Sequence, residues 1–134
     1  MQNNMQKDMM VNDTYEVKRL CNRGPFCVKV PGSKSITNRA LMLAAMSERR
    51  CELTGVLFSD DSRAFLDCLG RLGFELIIDE DNERVVIQGT GGVIPNNTAS
   101  VDVRSAGTAA RFLTVMLAFA GGDYEMNSSK QMAK

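Results

Sequence analysis

Two segments of the chain share one pattern, in which a turn of small residues leads into an apolar helix that begins near an arginine. Arg39 is followed by Ala-Leu-Met-Leu-Ala-Ala, and Arg111 is followed by Phe-Leu-Thr-Val-Met-Leu-Ala. A repeat of this kind indicates a fold built from copies of one α/β unit, because each copy buries an apolar face against its neighbour. Since the sequence ends soon after the second copy begins, we expect a truncated repeat fold.

The first copy is predicted to contain two helices with strands between them. Apolar residues alternate over positions 26–30 and predict a strand, and the helix around positions 40–46 is apolar on all sides, which predicts a buried helix. A strand over 51–57 precedes Ser59-Asp60-Asp61, which supplies capping side chains and acidic charge to a second helix that ends at Gly73. Its core face is predicted at helical spacing: Ala64, Phe65, Cys68, Leu69 and Leu72.

The rest of the chain completes one unit and begins another. Segments 74–78 and 85–88 flank a polar stretch and predict two antiparallel strands, followed by a strand at 100–103, a buried helix at 109–120 and a strand from Tyr124. This order predicts the α/β (α+β) class. Residues 1–14 lack apolar periodicity and are predicted to form a frayed tail, which leaves 15–134 as a single partial domain.

Composition excludes several classes of function. The 134 residues include 16 basic and 16 acidic side chains, so no net charge favours binding to nucleic acid or to an anionic membrane. The chain has no histidine, so it cannot build a Ser-His or Cys-His nucleophile by itself. No secretory signal or membrane-length apolar run is visible, which predicts a soluble, cytoplasmic protein.

The four cysteines do not follow a metal-binding pattern. Cys21, Cys27, Cys51 and Cys68 include no CxxC pair, and there is no histidine to complete a mixed site. We therefore predict no metal, and interpret the cysteines as small buried hydrophobic residues in a reduced protein.

The turn before the first helix has the composition of an anion site. A strand that runs through small residues into a helix directs backbone N–H groups and the positive end of the helix dipole to one place. There Lys34 supplies a mobile charge, Ser35 supplies a hydroxyl, and Arg39 supplies a planar guanidinium group on the same helix face as Ser35. The alternative is a solvated helix start with a surface arginine. A P-loop is excluded because GxxxxGK[ST] is absent, and a dinucleotide-binding turn because GxGxxG is absent.

The turn before the second apolar helix is similar but carries less charge. Gly107 would let a ligand approach the backbone, and Thr108 lies near the helix start. We interpret Arg111 as a structural residue that pairs with a nearby carboxylate. Asp60 and Asp61 are interpreted as helix-capping residues rather than an acid/base pair.

These motifs resemble a known family. Pro31-Gly-Ser-Lys-Ser-Ile-Thr-Asn-Arg-Ala-Leu41 and Ser105-Ala-Gly-Thr-Ala-Ala-Arg111 resemble the two N-terminal signatures of the 5-enolpyruvylshikimate-3-phosphate synthases, with Ser59-Asp-Asp61 between them. The resemblance spans about residues 26–134, or about a third of the length usual for the family. It implies a fold of repeated βαβαββ units, here one complete unit and the start of a second. Ser105 departs from the pattern, since many members have asparagine there.

The resemblance also implies an activity. Members of this enolpyruvyl transferase family transfer the enolpyruvyl group of phosphoenolpyruvate to the 5-hydroxyl of shikimate 3-phosphate and release phosphate, in aromatic amino-acid biosynthesis and without cofactors. By position, Lys34 would contact both substrates, Ser35 and Arg39 would bind shikimate 3-phosphate, and Gly107 would lie beside phosphoenolpyruvate, where glyphosate also binds. Members are typically monomeric.

The resemblance places further substrate ligands and the acid/base groups outside these 134 residues. We therefore expect the chain alone to be inactive, and to be able to self-associate through surfaces that the missing units would cover. Two alternatives stay open. One is a complete, non-catalytic binding protein for a phosphorylated metabolite, and the other is an interaction module whose turns are only capped helices.

Overall fold

The computed structural model of the protein describes residues 27–28 and 30–132. Within them the chain forms three helices and five strands in the order predicted after position 33. In chain order these are α1 (Lys34–Met46), β1 (Arg50–Thr54), α2 (Asp60–Arg71), β2 (Leu76–Asp79), β3 (Arg84–Gln88), β4 (Thr98–Asp102), α3 (Gly107–Ala118) and β5 (Asp123–Asn127).

The strands form two sheets of different kinds. β3 lies between β1 and β2 in an antiparallel sheet, with Glu52 and Ile77 both opposite Val86, which confirms the predicted antiparallel pair. β4, which precedes α3 in the chain, pairs in parallel with β5, which follows α3, and Ala99 lies opposite Tyr124. A parallel pair requires a crossover, and α3 supplies it. The predicted mixed α/β class is therefore confirmed.

Helix α2 lies at the centre of the core, packed against α1, α3 and β4. All five residues of its predicted core face are fully buried. Ser59 caps the helix in a capping box with Ser62, and the chain leaves the helix through Gly73, whose φ of 91° favours glycine. Both ends of α2 thus follow from local sequence signals.

Helices α1 and α3 depart from the prediction of burial on all sides. Each buries one face, while Leu43 is 64% exposed on α1 and Val115 is 59% exposed on α3. Phe119, immediately after α3, is 88% exposed. The prediction was wrong because, within the described residues, neighbours cover only one side of each helix.

Two predicted strands also differ from the structure. Residues 27, 28 and 30 are not in a strand, and Val28 and Val30 are exposed, because no described strand pairs with them and an unpaired strand is not stable. Phe26 and Lys29 lie outside the described residues, as does the predicted tail at 1–14. β1 ends at Thr54 rather than at 57, because Gly55, with φ of 68°, turns the chain. No described helix is long and apolar enough to cross a membrane.

Candidate anion-binding site

The start of α1 is defined by Ser33. Ser33 is extended, its Oγ accepts a hydrogen bond from the Ile36 amide (3.4 Å), and its carbonyl accepts one from the Thr37 amide (2.9 Å). By helix geometry, the amides of Lys34 and Ser35 have no acceptor inside α1. The exposed first turn therefore presents two N–H groups at the positive end of a helix of 13 residues.

Close contacts fix this turn to the connection between β1 and α2. A Cβ on Gly32 would collide with the Gly55 carbonyl oxygen and lie 3.2 Å from the Leu57 amide nitrogen, so only glycine fits there. The Leu57 amide donates to Thr37 Oγ1 (3.1 Å), and Ser62 Oγ donates to the Leu57 carbonyl (2.6 Å). The backbone of the candidate site is thus preorganised by two segments of the chain.

The three residues predicted at this turn lie together, and each is engaged within the protein. Lys34 Nζ is 3.2 Å from Asp61 Oδ2, and the Lys34 side chain is 53% exposed. Arg39 Nη1 donates to Ser35 Oγ (2.9 Å) and to the Ser35 carbonyl (3.1 Å). Because Arg39 remains exposed, its other guanidinium donors are accessible to an anion.

The second turn is less tightly built. Arg104 has a φ of 52° and its amide donates to Asp102 Oδ1 (2.8 Å), while Ser105 Oγ donates to Ser129 Oγ (2.9 Å). The cap residue of α3 is Ala106, which offers no side-chain hydrogen bond. A Cβ on Gly107 would meet no atom within 4 Å, so this backbone is open to approach. Within the described residues, no hydrogen bond or ion pair joins Gly107 to Lys34, Ser35 or Arg39.

Three interpretations from the sequence need correction or refinement. Arg111 is exposed and forms no ion pair with any residue that the structure describes, so the prediction that it pairs with a nearby carboxylate is wrong. Ser59, rather than an aspartate, caps α2, and Asp60 and Asp61 supply acidic charge to its first turn. Asp61 also reaches Lys34, a contact that depends on how α1 packs against α2 and has no local sequence signal.

Sequence reasoning also missed Asn38. This side chain is fully buried on α1, and its Nδ2 and Oδ1 have no hydrogen-bond partner among the described residues. A buried amide without partners is destabilising, which makes Asn38 unusual in a core of apolar side chains. Its position beside Thr37 and Arg39 gives no pattern that distinguishes it in sequence.

The cysteines occupy three different environments. Cys27 is exposed, Cys51 is half-buried and Cys68 is buried, while Cys21 lies outside the described residues, so the prediction of uniform burial is wrong. Burial, reinforced by the Asp67 carboxylate, raises the pKa of the Cys68 thiol to about 11. Cys68 Sγ donates to the Asp102 carbonyl (3.4 Å), which links α2 to the end of β4.

Two further ion pairs lie on the surface of the protein. Arg63 pairs with Glu80 through two hydrogen bonds (3.1 and 2.6 Å), and Arg84 pairs with Glu52 (2.6 Å). The hydrogen bonds from these arginines lower the pKa of Glu80 and of Glu52. No described group of histidine, cysteine and acidic residues has a metal-binding arrangement.

Together, these features define a mixed α/β protein whose helix starts present cations and N–H groups suited to an anionic ligand. The family described as EPSP synthase (3-phosphoshikimate 1-carboxyvinyltransferase) matches residues 26–134. The chain belongs to this family.

Curated relatives carry the same description. A 3-phosphoshikimate 1-carboxyvinyltransferase of Neisseria meningitidis serogroup C is 46% identical over 109 residues, which cover 81% of this chain and 25% of the relative. One from Burkholderia cenocepacia is 47% identical over 105 residues (78% and 24%), and one from Trichormus variabilis is 38% identical over 120 residues (90% and 28%). The chain therefore spans about a quarter of their length, somewhat less than the third expected from the sequence.

Solved structures agree with the family assignment. Two structures of EPSP synthase from Acinetobacter baumannii, each 27% identical, match with TM-scores of 0.68 and 0.70. They cover 77% and 80% of this chain, which corresponds to 23% and 24% of theirs. The arrangement of helices and strands described above is thus that of one part of an EPSP synthase.

Proposed function

We propose that this chain forms part of the substrate-binding surface of a transferase that joins phosphoenolpyruvate to shikimate 3-phosphate and releases phosphate. The relatives are named 3-phosphoshikimate 1-carboxyvinyltransferases, and the chain covers about a quarter of their length. The observation that carries the proposal is the cluster of Lys34, Ser35 and Arg39 at the exposed start of α1.

Each residue has a role in this proposal that follows from its chemistry. Two anions repel each other, so bringing them together requires cations and N–H donors placed between them. Lys34 contacts both substrates with a mobile ammonium group, while Ser35 and Arg39 bind the anionic groups of shikimate 3-phosphate. Gly107 lets phosphoenolpyruvate approach the backbone at the start of α3, where no side chain blocks access.

The proposed site binds and orients anions but offers no histidine for proton transfer. We therefore expect no turnover by the chain alone when purified chain is mixed with both substrates and phosphate release is measured. Release above the uncatalysed rate would contradict this expectation. The cytoplasmic location and the monomeric state typical of the family stay predictions.

The test of binding is an amide NMR titration of the chain with shikimate 3-phosphate. We expect saturable shifts at Lys34, Ser35 and Arg39, and their loss in Lys34→Ala and in Arg39→Ala. Arg49→Ala is the matched control, since it removes an exposed cation in the turn after the far end of α1 and should leave the shifts unchanged. A well-dispersed spectrum with no shift at these residues would count against the proposal.

A second ligand separates the transferase from a general binding protein for phosphorylated metabolites. Glucose 6-phosphate has a phosphate group but lacks the shikimate carboxylate that Arg39 is proposed to bind. We expect it to bind at least about tenfold more weakly than shikimate 3-phosphate, since one charge-assisted contact is lost. Equal binding of the two would favour the non-catalytic alternative.

A further inference from the structure

Asp61 is the described carboxylate paired with Lys34, and it belongs to a different helix. We infer that Asp61 competes with ligand anions for the Lys34 ammonium and thereby decides which anions bind at the start of α1. This inference deepens the proposed function and rests on it for the identity of the natural ligand. It assigns a specificity-determining role to a residue that does not itself bind substrate.

The two partners of this ion pair differ in freedom of movement. Asp61 lies in the first turn of α2, next to the Ser59 and Ser62 capping box, and its side chain is 23% exposed. Lys34 is 53% exposed and reaches Asp61 through a flexible stem. The carboxylate is therefore the fixed partner, and the ammonium is the one that can turn towards a ligand.

Competition of this kind acts differently on different anions. When a carboxylate monoanion such as acetate displaces Asp61 from Lys34, Lys34 exchanges one carboxylate contact for another. The charge of Asp61 then remains next to the bound anion. A phosphate dianion brings a second charge and can also accept from the Lys34 and Ser35 amides at the helix start. The Asp61 charge repels a dianion about twice as strongly as a monoanion, and the amide contacts of phosphate are the same with and without Asp61. Asp61 thus weakens the binding of phosphate-bearing ligands more than that of weak monoanions.

Asp60 provides a matched comparison for Asp61. Both residues lie in the first turn of α2, where the positive end of the helix dipole stabilises both carboxylates. Only Asp61 forms an ion pair with Lys34 among the described residues. Removing the charge at either position should change the stability of α2 by a similar amount. A difference in anion affinity between the two variants therefore reports on the contact of Asp61 with Lys34.

The experiment titrates wild type, Asp61→Asn and Asp60→Asn with acetate and with inorganic phosphate, and follows the amides of Lys34 and Ser35. We expect Asp61→Asn to tighten phosphate binding by about tenfold and acetate binding by about threefold, because removing the Asp61 charge relieves more repulsion for a dianion than for a monoanion. Asp60→Asn should change either affinity by less than about twofold. Asp61→Ser, which places a neutral hydroxyl in the first turn, provides the same comparison if the amide variant unfolds.

A Lys34→Gln background completes the test, because there Asp61→Asn should give no gain. Equal effects of Asp61→Asn and Asp60→Asn, weaker binding in Asp61→Asn, or no binding in any protein would each overturn the inference. The proposed function fails separately, if shikimate 3-phosphate does not bind. A gain for acetate in Asp61→Asn would then still support the competition by Asp61.

Discussion

The starts of α1 and α3 have similar sequences but differ in capping and in how closely their glycines are packed. At α1, a side chain caps the helix, Gly32 packs against the next connection, and an ion pair and a hydrogen bond tie the turn to the start of α2. At α3, no side chain caps the helix and space surrounds Gly107. The second start is tied instead through Cys68 to Asp102 and through Ser105 to Ser129.

This difference indicates which half of the proposed site is preorganised within the chain. At the α1 start, the backbone is held by the connection that leads into α2, Lys34 is paired with Asp61 of α2, and Arg39 is bonded to Ser35 of α1. The α3 start is held mainly to the end of β5 and the residues after it, through the Ser105–Ser129 hydroxyl contact and the hydrogen bond from the Ser129 amide to the Arg104 carbonyl (2.7 Å), and its surface at Gly107 is open. We therefore expect anion binding by this chain to be governed by α1, with a smaller contribution from α3.

The largest expected effect compares the two glycines. Gly32→Ala places a methyl group against the Gly55 carbonyl and should lower the free energy of unfolding by about 1–3 kcal/mol, as overpacking does. Gly107→Ala meets no atom within 4 Å and should raise it by about 0.5–1 kcal/mol, because alanine restricts the unfolded chain. Urea unfolding measures both. Equal changes would mean that the two turns are packed alike.

The next effect compares the two arginines of the repeat. Arg39→Lys replaces the planar guanidinium group next to Ser35 with an ammonium group and should weaken the binding of shikimate 3-phosphate by about tenfold. Arg111→Lys makes the same change on α3, where the side chain is exposed, and should alter binding by less than about twofold. The NMR titration described above measures both. A larger loss from Arg111→Lys would reverse the assignment of the dominant turn.

Local patterns in the sequence predicted the parts of the fold that local interactions determine. The capping box at Ser59 and the glycine at 73 set the ends of α2, and helical spacing identified its buried face. The small residues and cations from Ser33 to Arg39 identified the α1 turn, because caps and helix-start donors act over three or four residues.

Features that depend on distant neighbours could not be predicted. The pairing of Lys34 with Asp61 requires α1 to pack against α2, and the absence of a described partner for Arg111 depends on which carboxylates the fold brings near. Apolar sequence alone could not distinguish buried faces of α1 and α3 from exposed ones. Buried Asn38 is a further case, since polar residues are usually exposed.

A smaller effect tests the tie between α2 and the second turn. The Cys68 thiol has a pKa of about 11 in the folded protein, against the ordinary value of 9.0. Between these values the unfolded chain loses the proton while the folded protein keeps it, so the free energy of unfolding should fall as pH rises from 9.0 to about 11.

Cys68→Ala is the control for this titration, since it removes the thiol but leaves all other titrating groups in place. Urea unfolding of both proteins across this pH range should show a steeper decline for wild type. Amides near Asp102 should respond to the titration while those near Lys34 do not, because the thiol hydrogen bond reaches only β4. Parallel pH profiles for the two proteins would contradict the assignment.

The smallest expected effect on stability concerns the apolar residues exposed near the ends of α1 and α3. Leu43→Ser and Phe119→Ser should each change the free energy of unfolding by less than about 0.5 kcal/mol, since both side chains lie at the surface. Their effect on self-association should be larger, because exposed apolar side chains favour contacts between molecules. Phe119, at 88% exposed, should matter more than Leu43 at 64%.

Sedimentation at increasing protein concentration measures this last difference, with Val93→Ser as the control. Val93 is 67% exposed but lies in the connection before β4 rather than on α1 or α3, so its replacement should leave association through these two helices unchanged. If Phe119→Ser alone lowers association, contacts between molecules involve the less constrained α3 region. If Leu43→Ser has the larger effect, contacts between molecules involve the exposed side of the last turn of α1 instead, and the fractional exposure of a single side chain would not predict where molecules meet.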